Sequence, residues 1–259
     1  MQHFLNLGHR GAPEIAPENT IPSFAAALEA GADGVELDVR LSRDGAVVVM
    51  HNRTVNKTTD GKGPVSKKTL AELKALDAGV KFSPAYAGTP VPTLEEAIAA
   101  LPKHAFINIE TKSGALAGYL LEQKVAALVS GYDLYRRVIV SSFNPFSLAR
   151  LKQIDGRIPV GLLYLPFLRL DRRCLLNRFK PEALHPHYSM VNSKFMSRAR
   201  ARGYKVYAWT VDAAAKMMEL LDLGVDGIIT NRPDLLRKLL REREQHRRQE
   251  MQEDFLNNP

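Results

Sequence analysis

The chain of 259 residues has one cysteine, Cys174, so no intrachain disulfide framework is available and a reducing compartment is the natural setting. No apolar run approaches the roughly eighteen residues that a membrane-spanning helix needs. A basic stretch followed by an apolar core is also missing ahead of the first strand-like run, and the expectation is a cytoplasmic protein without a secretory leader. Low-complexity tracts and a linker are absent as well. With 45% hydrophobic residues, the length fits a single domain with a full core.

Charge is plentiful but uneven. The net charge is +8, and from Arg136 to Lys205 fifteen Lys and Arg stand against Asp155, Asp171 and Glu182. A basic face suits an anionic small molecule or lipid headgroups, although a merely solvated surface has the same composition. No nucleic-acid-binding motif accompanies it, and nucleic acid is not expected as a partner.

The stretch from Leu5 to Asn52 is where ionisable residues meet apolar runs. In GVELDVRLS, Glu36 and Asp38 lie two apart, so on a strand both carboxylates share one face while Val35, Leu37 and Val39 share the other. A later run, Ala105 to Lys112, repeats the pattern with Asn108, Glu110 and Lys112 on one face. Three buried carboxylates repel one another unless a cation sits among them. Glu36, Asp38 and Glu110 therefore read as oxygen ligands of one hard divalent ion, Mg²⁺ or Ca²⁺, with Arg10 and Lys112 adding positive charge; plain salt bridges to those two bases are the alternative.

His9 ends the run FLNLG and His51 ends AVVVM. Between Glu36 and His51, Asp44-Gly45 flanked by strand-like runs predicts a hairpin that returns His51 to a level roughly opposite Glu36. Nine strand-like runs alternate with helical patterns along the chain. A two-residue turn cannot join parallel neighbours, so Ala46 to Met50 is the return arm of the hairpin and eight runs remain for a parallel (β/α)8 barrel, whose chemistry sits at strand ends. The first helix is expected from Glu18 or Asn19 to Gly31, with Ile21, Phe24, Ala25 and Leu28 buried. Residues 53–92 form a long detour with a short helix near Thr69 to Leu76, read as an insertion over the active-site mouth. Thr93-Leu94-Glu95-Glu96 resembles a capped helix start, and a further helix is expected from Leu116 to Val129. Residues 1–240 are expected to be the barrel, insertion included, and 241–259 a charged helical tail.

His9-Arg10-Gly11, Pro17-Glu18-Asn19-Thr20, Gly34 to Val39, Asp44-Gly45, His51, Ile109 to Lys112, Ser141-Ser142-Phe143, Trp209-Thr210-Val211 and Asp226 to Pro233 resemble, in order and over nearly the whole chain, the signature of the glycerophosphodiester phosphodiesterase family, bacterial cytoplasmic type. The resemblance implies a TIM (β/α)8 barrel of the phospholipase C-like phosphodiesterase type, with a small insertion after the strand hairpin. It implies metal-dependent hydrolysis of small glycerophosphodiesters to glycerol phosphate and an alcohol, with His9 and His51 as general acid and base. It also implies that Arg10 and Lys112 face the phosphate, that Phe143 and Trp209 wall the pocket, and that Glu18 sits in the site as an outer metal ligand or an orienter of His9. The chain departs from the pattern at Asn52 and Asn231, where Asp is usual; the second departure reads as peripheral.

Two other readings use the same scaffold. A lysophospholipase D would exploit Leu162 to Lys180 as an amphipathic surface in weak contact with lipid. A non-catalytic phosphodiester sensor has only Asn52 in its favour. His185 and His187 bracket Pro186 and carry a low expectation of touching substrate. Nothing in the sequence sets an oligomeric state.

Overall fold

The structure, a computed structural model, describes residues 4–113, 119–165 and 179–257, with side chains through Met251. Strands β1 (Leu5–His9), β2 (Gly34–Leu41), β3 (Val47–Val49), β4 (Phe106–Thr111), β5 (Val138–Ser142), β6 (Val160–Tyr164), β7 (Ala183–Pro186), β8 (Lys205–Ala208) and β9 (Gly227–Thr230) form one sheet. Its order is β1-β9-β8-β7-β6-β5-β4-β2-β3, and a β1–β2 pairing closes it. The eight strands other than β3 are parallel, with surrounding helices: the chain is a TIM barrel. β3 pairs antiparallel to β2 with Val39 opposite Val49, so Asp44-Gly45 makes the expected hairpin.

Alternation along the strands divides the apolar residues between two cores. Val35, Leu37 and Val39 of β2, with Ile107 and Ile109 of β4, face outward onto α1 (Ile21–Glu29), α3 (Leu94–Ala100), α4 (Leu120–Gly131) and the later helices in a large mantle core, whereas α2 (Leu70–Lys74) lies in the insertion and packs in its separate cluster. A smaller cluster of Leu7, Ile139, Ala183, Tyr207 and Ile229 fills the barrel interior. The seam between first and last elements is fastened by polar groups. Asn6 Nδ2 donates to Pro233 O at 2.9 Å and to Gly31 O at 3.3 Å, while Arg237 reaches Asp33 at 2.6 Å.

α1 starts at Ile21, later than expected; of its expected core face Phe24 is buried and Ile21 and Leu28 pack partly buried against the core, but Ala25 is exposed and Ser23 and Ala27 are buried in addition. The reason is local. Asn19 takes a left-handed φ of +60°, which cannot continue a helix, and Thr20 then caps the helix with its hydroxyl accepting from Ser23 N. Thr93 and Glu96 form the capping box anticipated for α3. α4 runs from Leu120 to Gly131; residues 116–118 of the helix expected there, and residues 167–178 of the apolar, basic segment, lie outside the described residues. α5 (Pro145–Ile154), α6 (Ser193–Arg200) and α7 (Ala214–Leu223) follow their strands, and α8 (Pro233–Asn257) carries the charged tail as an unbroken extension of the last barrel helix. No helix among the described residues is long and apolar enough to cross a membrane.

The insertion has a core of its own. Val48 and Met50 from the hairpin meet Val55, Val65, Leu73, Ala78 and Val91, separate from the barrel clusters. It also touches the loop after β1: Tyr86 donates to Ile15 O at 3.1 Å, and Lys57 lies 3.5 Å from Glu18. Leu73 is fully buried in that small core. Leu73→Ala is expected to cost about 2–5 kcal/mol locally; in hydrogen exchange, amides of 53–92 should quicken while those of β4 to β9 keep their protection.

Candidate active site

The C-terminal ends of β1, β2 and β4 bring the ionisable residues together. β1 ends at His9, and the chain then turns sharply through Arg10 at φ +57° and Gly11 at φ +90°. A side chain at position 11 would strike Ser23, so glycine is required there. Arg10 pays for its left-handed backbone with a bond, since its N–H donates to Glu36 Oε2 at 3.0 Å. The register places His9 beside Glu36, Glu36 beside Asn108, and Asp38 beside Glu110. Strand alternation thus delivers all three acids to the barrel interior, as the sequence spacing predicts.

Glu36, Asp38 and Glu110 are 4%, 1% and 7% exposed, and one oxygen of each lies within 4.8 Å of the others. Their cationic partners are Lys112, 2.9 Å from Asp38 and also paired with Glu110, and Arg10, 3.4 Å from Asp38. Asn19 grips the same acid, donating from Nδ2 to Asp38 Oδ2 at 2.8 Å and accepting from Asp38 N at 3.2 Å. Burial opposes the charge on Asp38, but Lys112 and Arg10 outweigh it and hold the carboxyl down at about 2. Glu36 goes the other way: burial, then Asp38 and Glu110, push it well above the usual carboxylate range. Burial and Asp38 raise Glu110 to about 7.

Three acids share two bases in a buried space, so Glu36 and Glu110 tend to hold their protons and could ionise together only beside a further cation. An all-oxygen donor set of this kind fits a divalent metal ion, the group that relieves the repulsion.

His9 and His51 flank this cluster. His9 Nδ1 is 2.7 Å from Asn231 Oδ1, and burial, with Arg10 adding to it, lowers the ring to about 4. His51 follows the hairpin arm, where Met50 N donates to Asp38 O at 2.8 Å. Its Nδ1 lies 3.0 Å from Asn52 Oδ1, and burial, partly offset by Asp38, lowers this ring as well. Arg40, on the same face of β2 as Glu36 and Asp38, donates from Nε and Nη2 to His51 O at 3.0 and 2.6 Å. The extrapolated β2–β3 register sets His51 level with Leu37, one residue from the expected partner Glu36.

A cleft of about 390 Å³, open solvent included, is lined by His9, Arg10, Glu36, His51, Glu110, Lys112, Phe143 and Trp209 among others. Phe143 and Trp209 meet edge to face at 5.4 Å, and Trp209 Nε1 donates to His185 O at 2.7 Å, which fixes the indole as a wall. Asp38 sits behind the lining. Glu18 does not orient His9; its carboxylate binds Arg10 at 3.0 Å, and Asn231 is the partner of His9. His185 is fully buried and meets Tyr207 edge to face, and His187 lies against Tyr188 at a tilt and meets Trp209 edge to face.

Four residues escaped the sequence reading. Asn19, expected only as a start of the first helix, is a clamp on Asp38. Asn231 looked peripheral and touches His9, although its place directly after β9 at the catalytic end of the barrel was a usable signal. Arg40 shared a strand face with the acids. Asp212, which binds Asn231, carried no signal of its own.

The profile of the Glycerophosphoryl diester phosphodiesterase family matches residues 9–235. A glycerophosphodiester phosphodiesterase of Caldanaerobacter subterraneus subsp. tengcongensis is 41% identical over 92% of this chain and 98% of its own, and one of Bacillus subtilis is 36% identical over 91% and 86%. Among solved structures, an Oleispira antarctica phosphodiesterase in complex with the product sn-glycerol-3-phosphate superimposes with a TM-score of 0.79 at 32% identity, covering 90% of this chain and 95% of that one. The Thermotoga maritima glycerophosphodiester phosphodiesterase gives a TM-score of 0.76 at 27% identity, covering 92% and 100%. The chain therefore belongs to the glycerophosphodiester phosphodiesterase family and is an enzyme of the phosphodiester hydrolase class.

Proposed function

We propose that the protein hydrolyses small glycerophosphodiesters, such as glycerophosphocholine and glycerophosphoethanolamine, to sn-glycerol 3-phosphate and an alcohol, with one Mg²⁺ or Ca²⁺ held by Glu36, Asp38 and Glu110. The observation that carries this reading is the buried cluster of three carboxyl groups beside two histidines and two bases at one cleft. The product bound to the Oleispira antarctica relative supports the substrate class. A divalent ion bound by these acids would polarise a phosphate oxygen and offset its charge.

The remaining steps belong to side chains. Arg10 and Lys112, both lining the cleft, stabilise the extra charge that gathers on the phosphoryl oxygens as the nucleophile adds. One of His9 and His51 takes the nucleophile's proton, and the other gives a proton to the alkoxide released when the P–O bond breaks. Burial lowers both rings from the ordinary histidine value, which favours the neutral form that the base needs; the acid of the pair acts after taking up a proton from solvent or substrate. The nucleophile is water or the neighbouring glycerol hydroxyl; a substrate without that hydroxyl separates them, because only the cyclic route stops. Phe143 and Trp209 give the departing group an apolar wall. The insertion, which touches the loop after β1, covers the mouth, and the single cysteine supports placing the reaction in the cytoplasm.

After EDTA treatment, release of glycerol phosphate from glycerophosphocholine should cease and return with Mg²⁺ or Ca²⁺. His9→Ala and His51→Ala should each lower restored kcat by about 10²–10⁴-fold; full turnover in either variant contradicts the acid-base pair. Metal binding should also release protons. Glu36 and Glu110 are protonated more readily than free carboxylates in the metal-free site, and each proton must leave for the ion to bind. Titration calorimetry between pH 6 and pH 8, in buffers of different ionisation enthalpy, should show affinity rising with pH and proton release falling as Glu110 passes its value of about 7.

A further inference from the structure

Asn231 is held from behind. Its side-chain Nδ2 donates to Asp212 Oδ2 at 2.7 Å, and its backbone N donates to Asp212 Oδ1 at 2.8 Å. Thr230 Oγ1 donates to the same Oδ1 at 3.0 Å and itself accepts from Arg232 N at 2.9 Å, so the Asp212 carboxylate is fixed at both oxygens. An ionised carboxylate only accepts, and the amide of Asn231 must therefore turn its NH₂ toward Asp212. Its oxygen is then left to face His9 Nδ1 at 2.7 Å, and an amide oxygen only accepts. The proton of a neutral His9 ring has one place to go, Nδ1.

We infer that Asp212 is a positioning residue that, through Asn231, locks His9 in the tautomer whose Nε2 carries a lone pair, which makes His9 the proton acceptor of the pair. The inference rests on the acid-base reading given above and assigns its direction. His9 lines the cleft, and Nε2 is the ring nitrogen that Asn231 does not engage. When Nε2 takes the nucleophile's proton, the Nδ1–H bond to Asn231 is retained, so the ring need not turn. His51 has no equivalent clamp. Its partner Asn52 makes no second side-chain hydrogen bond among the described residues, so that amide can turn over and serve either tautomer. Where the family pattern has Asp at position 231, this chain places the carboxylate one residue further from the ring and transmits its orientation through an amide.

The test is nitrogen NMR of the protein carrying ¹⁵N-histidine, near neutral pH, with the His9 signals assigned by their loss in His9→Gln, together with kcat and KM on glycerophosphocholine. Wild-type His9 should carry its proton on Nδ1. In Asp212→Asn, the Thr230 hydroxyl and Asn231 N–H still need an acceptor, so the new amide offers its oxygen to them and its NH₂ to Asn231. The Asn231 amide then turns over and points its own NH₂ at His9, moving the ring proton to Nε2. The expected result is an exchange of the two nitrogen shifts and a kcat lower by about 10–100-fold, with KM held within about twofold. The double variant D212N/N231D again presents an acceptor-only oxygen to Nδ1, and it should return both the tautomer and most of kcat. That variant also carries the test if Asp212→Asn alone fails to fold. Wild-type His9 protonated on Nε2, an unchanged tautomer and kcat in Asp212→Asn, or a double variant no better than the single one overturns the clamp. A wild type with the Nδ1 proton but no turnover overturns the reaction reading instead, and leaves the clamp standing.

Discussion

Mutual repulsion among three buried carboxylates is the constraint on which the rest of the site depends. Glu36, Asp38 and Glu110 cannot all be ionised at such separations in a dry interior without compensation, and the chain supplies only part of it. Lys112 and Arg10 settle on Asp38, which becomes the strongest acid of the three. Among the described residues Glu36 accepts one backbone hydrogen bond, from Arg10 N, and burial with Asp38 and Glu110 pushes it well above the usual carboxylate range. A divalent cation among the three acids would relieve the imbalance. The approach to the site carries the strain: Arg10 and Asn19 both adopt left-handed backbone, and in that conformation Arg10 N donates to Glu36 and Asn19 Nδ2 donates to Asp38.

The barrel makes this arrangement affordable in structural terms. Carboxylates on adjacent parallel strands are set by ladder register, not by loop conformation, so Asp38 opposite Glu110 is a consequence of the Val35–Ile107 and Leu37–Ile109 pairings that the mantle core enforces. Parallel connectivity alone would leave the site one histidine short. The β2–β3 hairpin supplies it from above the barrel, and Arg40 ties the His51 carbonyl back to the strand that bears the acids. The insertion's separate core then packs on the hairpin through Val48 and Met50, which links the position of His51 to the stability of residues 53–92.

Most of this was legible in the sequence because it follows from a period of two. The spacing of Glu36 and Asp38, the strand end at His9 and the turn at Asp44-Gly45 each predict a position that backbone geometry then delivers, and His51 falls within one residue of its expected level. What was not legible depends on side chains that span long sequence separations or on a single backbone angle. Asn19 and Asp38 are nineteen residues apart, and Asn231 meets His9 across 222. No local pattern distinguishes a helix-capping Asn from one that grips a buried acid, which is also why α1 was placed too early. The family resemblance leaves Glu18 as an outer metal ligand or an orienter of His9; barrel closure instead brings Asn231, just after the last strand, to His9, and Glu18 pairs with Arg10.

The central claim is that the acid cluster is destabilising until a divalent cation binds. Thermal unfolding of wild type and Glu36→Gln, in EDTA and with Mg²⁺ or Ca²⁺ added, measures it directly. A carboxyl whose folded value is raised favours folding fully only below its unfolded value and loses that contribution as pH rises, so in EDTA the amide variant should melt above wild type at pH 7 and less so at pH 4. Added cation should raise the Tm of wild type and leave Glu36→Gln nearly unchanged. A Glu36→Gln protein that melts below wild type in EDTA, or that keeps the full metal-dependent rise, would contradict the account.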